Sequence, residues 1–179
     1  MKKFKQQLSR YHSEFPEELY FKEKMLLHLA EKGEKAFLRE SADAHFTASA
    51  WLIDKMHKTI LLLKHKKLNR WLQPGGHADG MHDLELVAIK EVEEETNLTD
   101  LRIVSTGIFD IDIHTIPEYQ SVKEHEHYDV RYAFFVANSE ATKINNESKE
   151  FKWLGTEEIK VLTSNPSILR MVEKTQKLF

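Results

Sequence analysis

The chain has 179 residues, with 29 acidic against 26 basic side chains, a formal charge of −3, ten histidines and no cysteine. That length suits one domain with a real core and a small appendage. The balance of charge gives no general pull toward nucleic acid or an anionic membrane, and no apolar run is long enough to span a bilayer. The lack of thiols excludes disulfides, thiolate metal sites and thiol catalysis. With no long apolar run and no signal-peptide pattern at the Lys-rich start, a soluble cytoplasmic protein is expected.

Residues 1–41 are rich in Lys and Glu and poor in glycine. Two helices are expected there, near Lys3–Tyr11 and from Pro16 to about Glu31, because Pro16 suits a first helical turn and Gly33 a stop. Leu19, Leu26, Leu27 and Ala30 leave a modest apolar stripe. The segment reads as a helical extension without chemistry of its own, able to dock on a domain or form a dimer contact. His12 and His28 are expected at its surface. From His45 the pattern changes to strands over His45–Ile53 and Lys58–His65, the second carrying the apolar run Ile60–Leu63. A basic stretch from Lys64 to Arg70 follows and ends at Trp71. It reads either as a solvated hairpin end or as a positive rim beside a phosphate site.

Trp71–Leu98 is the informative stretch. A Pro-Gly-Gly turn leads through a polar loop into a helix ending in Glu91, Glu94 and Glu95. At about 100° per residue these acids share one side, continuing the face of Leu84, Val87 and Ala88. Leu86, Ile89 and Val92 lie elsewhere, which predicts a helix packed on more than one side. An acidic run is most often a solvated face. Three carboxylates this close at the end of a largely buried helix instead favour a hard divalent cation with oxygen ligands.

Leu101–Thr115 reads as one long strand in which Phe109, Ile111 and Ile113 alternate with Asp110, Asp112 and His114. His127–Ala137 alternates again, with Tyr128, Val130, Tyr132, Phe134 and Val136 on one face and His127, Asp129 and Arg131 on the other. Paired as a hairpin, the two strands form a polar wall, with Arg131 as a fork for phosphate or carboxylate. His114, His125 and His127 on that wall are candidates to bind Mn, Fe or Zn. Glu150–Leu154 reads as a short strand. Thr156 is expected to cap the helix after it, and Asn165-Pro166 to start a last helix running to about Gln176.

The Trp71–Leu98 stretch resembles the Nudix box, Gly-x5-Glu-x7-Arg-Glu-U-x-Glu-Glu-x-Gly-U with U aliphatic. Gly76, Glu91, Val92, Glu94, Glu95 and Leu98 fall on its positions, while His82, Lys90 and Asn97 depart from it. Gly-Gly-His-Ala-Asp-Gly at 75–80 and His-x-His-x-Asp-Val-Arg at 125–131 resemble a variant-box subgroup whose substrates are loosely defined. The resemblance covers roughly residues 42–165. It implies an α/β Nudix fold, an α/β/α sandwich with a mixed central sheet, with 1–41 as helical extension and 42–179 as hydrolase domain.

By the same resemblance the chain is a hydrolase of a pyrophosphate bond in a nucleoside diphosphate joined to another group, a small-molecule substrate. Glu91, Glu94 and Glu95 hold Mg²⁺ or Mn²⁺ and carry the catalysis, with the Gly75 carbonyl as a further ligand. Gly76, His77, Arg131, His127, Arg70 and Trp71 contact substrate, and Tyr119 and Tyr128 are further candidates for stacking. The general base is a box glutamate or one of Glu118, Glu124, Glu126, His125 and His127. Lys90 keeps the charge of the arginine but loses its bidentate fork. His82 does not replace a carboxylate, for which Asp79 or Asp83 is a neighbouring substitute. The altered box leaves a non-hydrolytic nucleotide-binding module as the alternative. An isomerase of the isopentenyl diphosphate type ranks last, because that group uses a catalytic cysteine.

Overall fold

The computed structural model describes residues 1–41, 43–105, 107–118 and 123–178. Its helices are α1 (Lys2–Arg10), α2 (Pro16–Lys32), α3 (Leu84–Thr96), α4 (Thr156–Leu162) and α5 (Pro166–Gln176). Its strands are β1 (Ala44–Asp54), β2 (Thr59–His65), β3 (Trp71–Leu72), β4 (Gly75–His77), β5 (Leu101–Ile103), β6 (Asp110–Ile116), β7 (His125–Val136) and β8 (Ser148–Leu154). The strand order is β3-β2-β1-β7-β5, with β4 on β1, β6 on β7 and β8 on β2. The chain divides into two compact units, and β1, β7 and α3 each contribute to both.

The first unit holds Met1–Ser49, Gly75–Ala88 and Ser105–Tyr132. The N-terminal helices belong to its core. Phe4 of α1 packs edge-on against Phe37 and Phe46, with ring centroids 5.7 and 5.0 Å apart. Burying such a ring stabilises by about 1.5–3 kcal/mol. On α2 the buried residues are Glu18, Met25, His28 and Leu29, whereas Leu19 and Leu27 are exposed. The expected stripe is therefore displaced around the helix. The reason is polar: Glu18 lies inside, accepting from the Tyr11 hydroxyl at 2.5 Å and the Ile111 backbone N–H at 3.0 Å. A buried carboxylate that satisfies the Ile111 N–H at the start of β6 fixes which face of α2 points inward. His28, expected at the surface, is buried against Phe46 and Tyr128.

In the same unit β4 pairs with β1 through Thr47↔His77, Ala48↔Gly76 and Ser49↔Gly75. The Pro-Gly-Gly segment is thus a short strand rather than only a turn. Gly75 is required by proximity, since a Cβ there would lie 2.3 Å from the Ser49 Cβ. β6 and β7 pair as expected, with Asp110↔Arg131, Asp112↔Asp129 and His114↔His127 in register.

The second unit holds Ala50–Pro74, Ile89–Val104 and Ala133–Phe179. Ile60–Leu63 of β2 are buried on both faces between the end of β1 and β8. The β1–β2 turn closes on Asp54, whose carboxylate accepts from the Met56 and His57 backbone N–H groups at 2.9 and 3.0 Å. Lys58 completes the turn at φ +54°. Trp51 is fully buried, and its indole N–H donates to Thr175 of α5 at 2.8 Å. The helix after β8 is capped from Gly155, whose N–H donates to Glu158 at 2.7 Å, so Thr156 is the first helical residue rather than the cap. Asn165 caps α5 as expected, accepting from the Ser167 N–H at 3.0 Å.

The single strand expected over Leu101–Thr115 is broken into β5 and β6. β5 pairs with the end of β7, Leu101↔Val136 to Ile103↔Phe134, and the chain then leaves that register through Gly107 at φ +135°. Only glycine takes that conformation readily. β6 restarts on the other half of β7.

Candidate functional site

The acidic end of α3 follows from how the helix is buried. Leu84, Val87 and Ala88 are buried, and of the residues expected off that face Val92 is buried and Ile89 half-buried, while Leu86 is 53% exposed. Glu95 continues the buried side and is only 8% exposed; Glu91 is half-buried and Glu94 exposed. The carboxylates thus run from inside to outside across one turn. Lys90 meets Glu94 at 3.3 Å. The helix ends where Thr96 donates its hydroxyl to the Val92 carbonyl at 2.6 Å and Asn97 turns left-handed at φ +59°. Asparagine tolerates this region better than other side chains. The box glycine therefore has a conformational reason at this position, and Asn97 meets it.

The other departures resolve differently. The His82 ring packs on Phe37 with centroids 4.8 Å apart, a contact of shape rather than charge. Asp79 is held by the Arg39 fork at 2.7 and 2.5 Å, and Asp83 by Lys3 at 2.8 Å. Both neighbouring acids are engaged by cations of the first unit.

Histidines gather in that unit. His45, His77 and His127 each bring one ring nitrogen within 4.8 Å of the others. Their ring centroids are 5.1 Å (His45–His77), 4.8 Å (His45–His127) and 4.9 Å (His77–His127) apart. His125 stacks on His45 at 5.0 Å, and its Nε2 lies 3.3 Å from that of His127. Burial, reinforced by His77 and only partly offset by the Ser41 backbone, lowers the His45 pKa to about 4. Burial and the neighbouring His114 lower that of His127 to about 2, and burial and Arg39 lower that of His77. These imidazoles are neutral at pH 7.

His45 carried no role in the sequence. Its signal was the alternation His45, Thr47, Ser49, a polar face on an otherwise apolar strand. In the structure Thr47 and Ser49 both donate to Asp129, at 3.0 and 2.7 Å.

The polar wall of β6 and β7 forms, but as interior. Asp110 and Asp112 are buried, and Arg131 is bound by three carboxylates: Nε to Asp129 at 2.8 Å, Nη1 to Asp110 at 3.1 Å and Nη2 to Asp112 at 3.2 Å. Burial opposes its charge, and Asp112, Asp129 and Asp110 more than offset this, raising its pKa. The guanidinium is spent on the sheet, which corrects its expected role as a substrate fork. His114 stands at the wall's exposed end, 3.5 Å from Asp112. Tyr128 is buried under Lys24 and His28 rather than open for stacking. Glu126 is paired with Lys24 at 3.1 Å. Glu118 and Glu124 are exposed, and Tyr119 lies outside the described residues.

In the second unit, Arg70 and Trp71 line an open cleft of about 580 Å³ with Asn69 and residues 162–166. Lys64 and Lys152 lie over the Trp71 ring, 5.6 and 5.0 Å from its centroid. Among the described residues no helix is long and apolar enough to cross a membrane.

Residues 43–174 match the NUDIX domain family. No curated protein matches the chain. Among solved structures, the chain is similar to a C. elegans Ap4A hydrolase at 21% identity, covering 73% of this chain and 96% of that one with a TM-score of 0.52. The E. coli dihydroneopterin triphosphate pyrophosphohydrolase is 16% identical over 72% of this chain and 92% of that one, with a TM-score of 0.56. A NUDIX family hydrolase from Clostridium perfringens is 24% identical over 75% and 98%, with a TM-score of 0.54. At these identities the neighbours establish the fold, and the domain match establishes the family. The chain belongs to the NUDIX family.

Proposed function

We propose that this protein is a Mg²⁺- or Mn²⁺-dependent Nudix hydrolase of the variant-box subgroup, acting in the cytoplasm on a nucleoside diphosphate linked to a second moiety. The observation that carries the reading is the graded row of Glu91, Glu94 and Glu95 on the last turns of α3. Three carboxylates are the hard oxygen donors that such ions prefer, so the donor set fits the metal the family implies. When bound, the ion supplies charge neutralisation on the phosphates and acidification of water.

The chain's own part is then divided along α3. Glu95, held inside by the packed stripe, anchors the donor set. Glu94, open to solvent beside Lys90, is assigned to take a proton from water. Gly75 and Gly76 are assigned to close backbone approach of phosphate, which a side chain would hinder. Arg70 and Trp71, a cation and an aromatic face on one cleft, are assigned to substrate. Among the solved relatives, one is named for Ap4A and one for dihydroneopterin triphosphate, both compounds with linked phosphates, which supports the class of substrate.

The test is phosphate or nucleotide release from a panel of nucleotide sugars, dinucleotides and nucleoside triphosphates with Mg²⁺ or Mn²⁺. Turnover of at least one member is expected, abolished by EDTA and lowered about a thousandfold by Glu94→Gln, the loss expected for several kcal/mol of transition-state stabilisation. A folded protein that turns over nothing on the panel overturns the reading. Calorimetric binding without turnover would instead establish the nucleotide-binding module.

A further inference from the structure

The geometry points to a metal site in the first unit, beyond the function proposed above. In it His45, His77 and His127 hold one transition-metal ion of the Zn²⁺ class through three ring nitrogens, and His125 fixes the tautomer of His127.

Four observations carry this. The first is convergence, because the three ring nitrogens lie within 4.8 Å of one another although they come from β1, β4 and β7. A Zn²⁺ ion with bonds of 2.0–2.1 Å needs its nitrogens about 3.3 Å apart, so the rings must draw together by roughly 1.5 Å, within reach of small χ rotations. The second is His45 itself. It is 2% exposed, and neither ring nitrogen meets a hydrogen-bond partner of normal geometry. A buried polar group is ordinarily paired, and one that is not calls for a ligand, an ion or a water.

The third is the hydrogen-bond logic around His127. The His125 Nδ1 lies 2.8 Å from the Lys123 carbonyl, which only accepts, so that nitrogen carries the proton. With that proton on Nδ1, the His125 Nε2 is the acceptor of the 3.3 Å contact and the His127 Nε2–H its donor. The Nδ1 of His127 is left with a bare lone pair. A metal-bound histidine almost always has its other nitrogen anchored in this way.

The fourth is charge and donor type. Three neutral imidazoles suit a borderline transition ion and not Mg²⁺. Arg39, the cation that bears on His45 and His77, is itself paired with Asp79. His77 and His127 keep partial solvent access, leaving room for an exchangeable water as fourth ligand. The grouping expected from sequence, His114 with His125 and His127, is replaced: His114 is turned toward Asp112, and His125 stands behind the ligand set.

The test uses full-length, tag-free protein stripped with EDTA and titrated with Co²⁺ alone, read by the visible d–d absorption of a low-coordinate nitrogen site. Wild type and Glu94→Gln are expected to develop the band equally, which separates this site from the glutamates and from any result on turnover. His77→Ala and His127→Ala, checked for folding by circular dichroism, are expected to lose the band. His125→Ala is expected to weaken binding about tenfold, as for other supporting partners. Zn²⁺ added to unmutated protein should also shift the imidazole NMR signals of His45, His77 and His127. A wild type with neither band nor imidazole shift, or folded His77 and His127 variants that keep the band unchanged, overturns the proposal.

Discussion

Two clusters in this chain each bring three carboxylates into the neighbourhood of a basic residue, and the basic residue meets them in different ways. In the first unit Asp110, Asp112 and Asp129 surround Arg131, and all four are buried. A planar guanidinium with five N–H donors can serve three acids at once, so the cation is covalently built in. In the second unit Glu91, Glu94 and Glu95 sit beside Lys90, a point charge that is half exposed and reaches Glu94. A lysine cannot bridge three carboxylates spread over a helical turn. What separates the two clusters is therefore the geometry of the basic residue and its depth, since the acids are equal in number. The sheet cluster is knit together by one buried guanidinium, whereas in the helix cluster the lysine reaches Glu94 at the surface.

Mutation of the two basic residues tests that contrast most severely. Arg131→Met leaves buried carboxylates without their cation and should cost about 3–5 kcal/mol, whereas Lys90→Met at an exposed pair should cost under about 1 kcal/mol. Thermal unfolding reads this as a fall on the order of 10 °C against one of at most a few degrees. Equal shifts would erase the distinction.

Asp54 offers an intermediate case, a buried acid whose partner His57 is exposed. Burial alone would raise its pKa, but the His57 and Ser139 side chains and the His57 N–H outweigh it and lower it to about 2. A carboxylate with a depressed folded-state pKa contributes stability above its ordinary value of 3.8, and the contribution is lost as pH falls toward 2. Melting temperature should drop by on the order of 5 °C across that window, and Asp54→Asn should flatten the drop. The His57 pKa is raised above 6.5 by the same contact, so its contribution is complete below 6.5 and disappears as pH rises through the raised value, which an NMR titration of the ring would follow.

The smallest effect is expected at the end of α3. Asn97→Gly should leave stability within a few tenths of a kcal/mol, and Asn97→Ala should cost about 1 kcal/mol, because only the alanine resists the left-handed backbone. Chemical denaturation of both variants decides whether this departure from the box is neutral.

Much of the fold was legible in the sequence because local rules governed it. Pro16, Gly33 and Asn165-Pro166 punctuate helices through local backbone and capping preferences, and the alternations at 110–114 and 127–136 suggested a hairpin with coinciding polar faces, a pairing that the structure contains. The clustering of Glu91, Glu94 and Glu95 on one side of a helix followed from spacing alone. What failed depended on partners distant in sequence. The inward face of α2 was decided by Glu18 meeting Tyr11 and Ile111, the need for Gly75 by Ser49, and the role of Arg131 by three aspartates on β6 and β7.

Sequence by itself determined the three glutamates and their common face, because 3.6 residues per turn is a property of the backbone. Only tertiary structure decided their depth, from buried Glu95 to exposed Glu94, because depth is set by what the Leu84–Val92 stripe packs against. The histidines show the same division. Their number was visible from composition, but the convergence of His45, His77 and His127 required three strands to meet, and no spacing along the chain records that meeting.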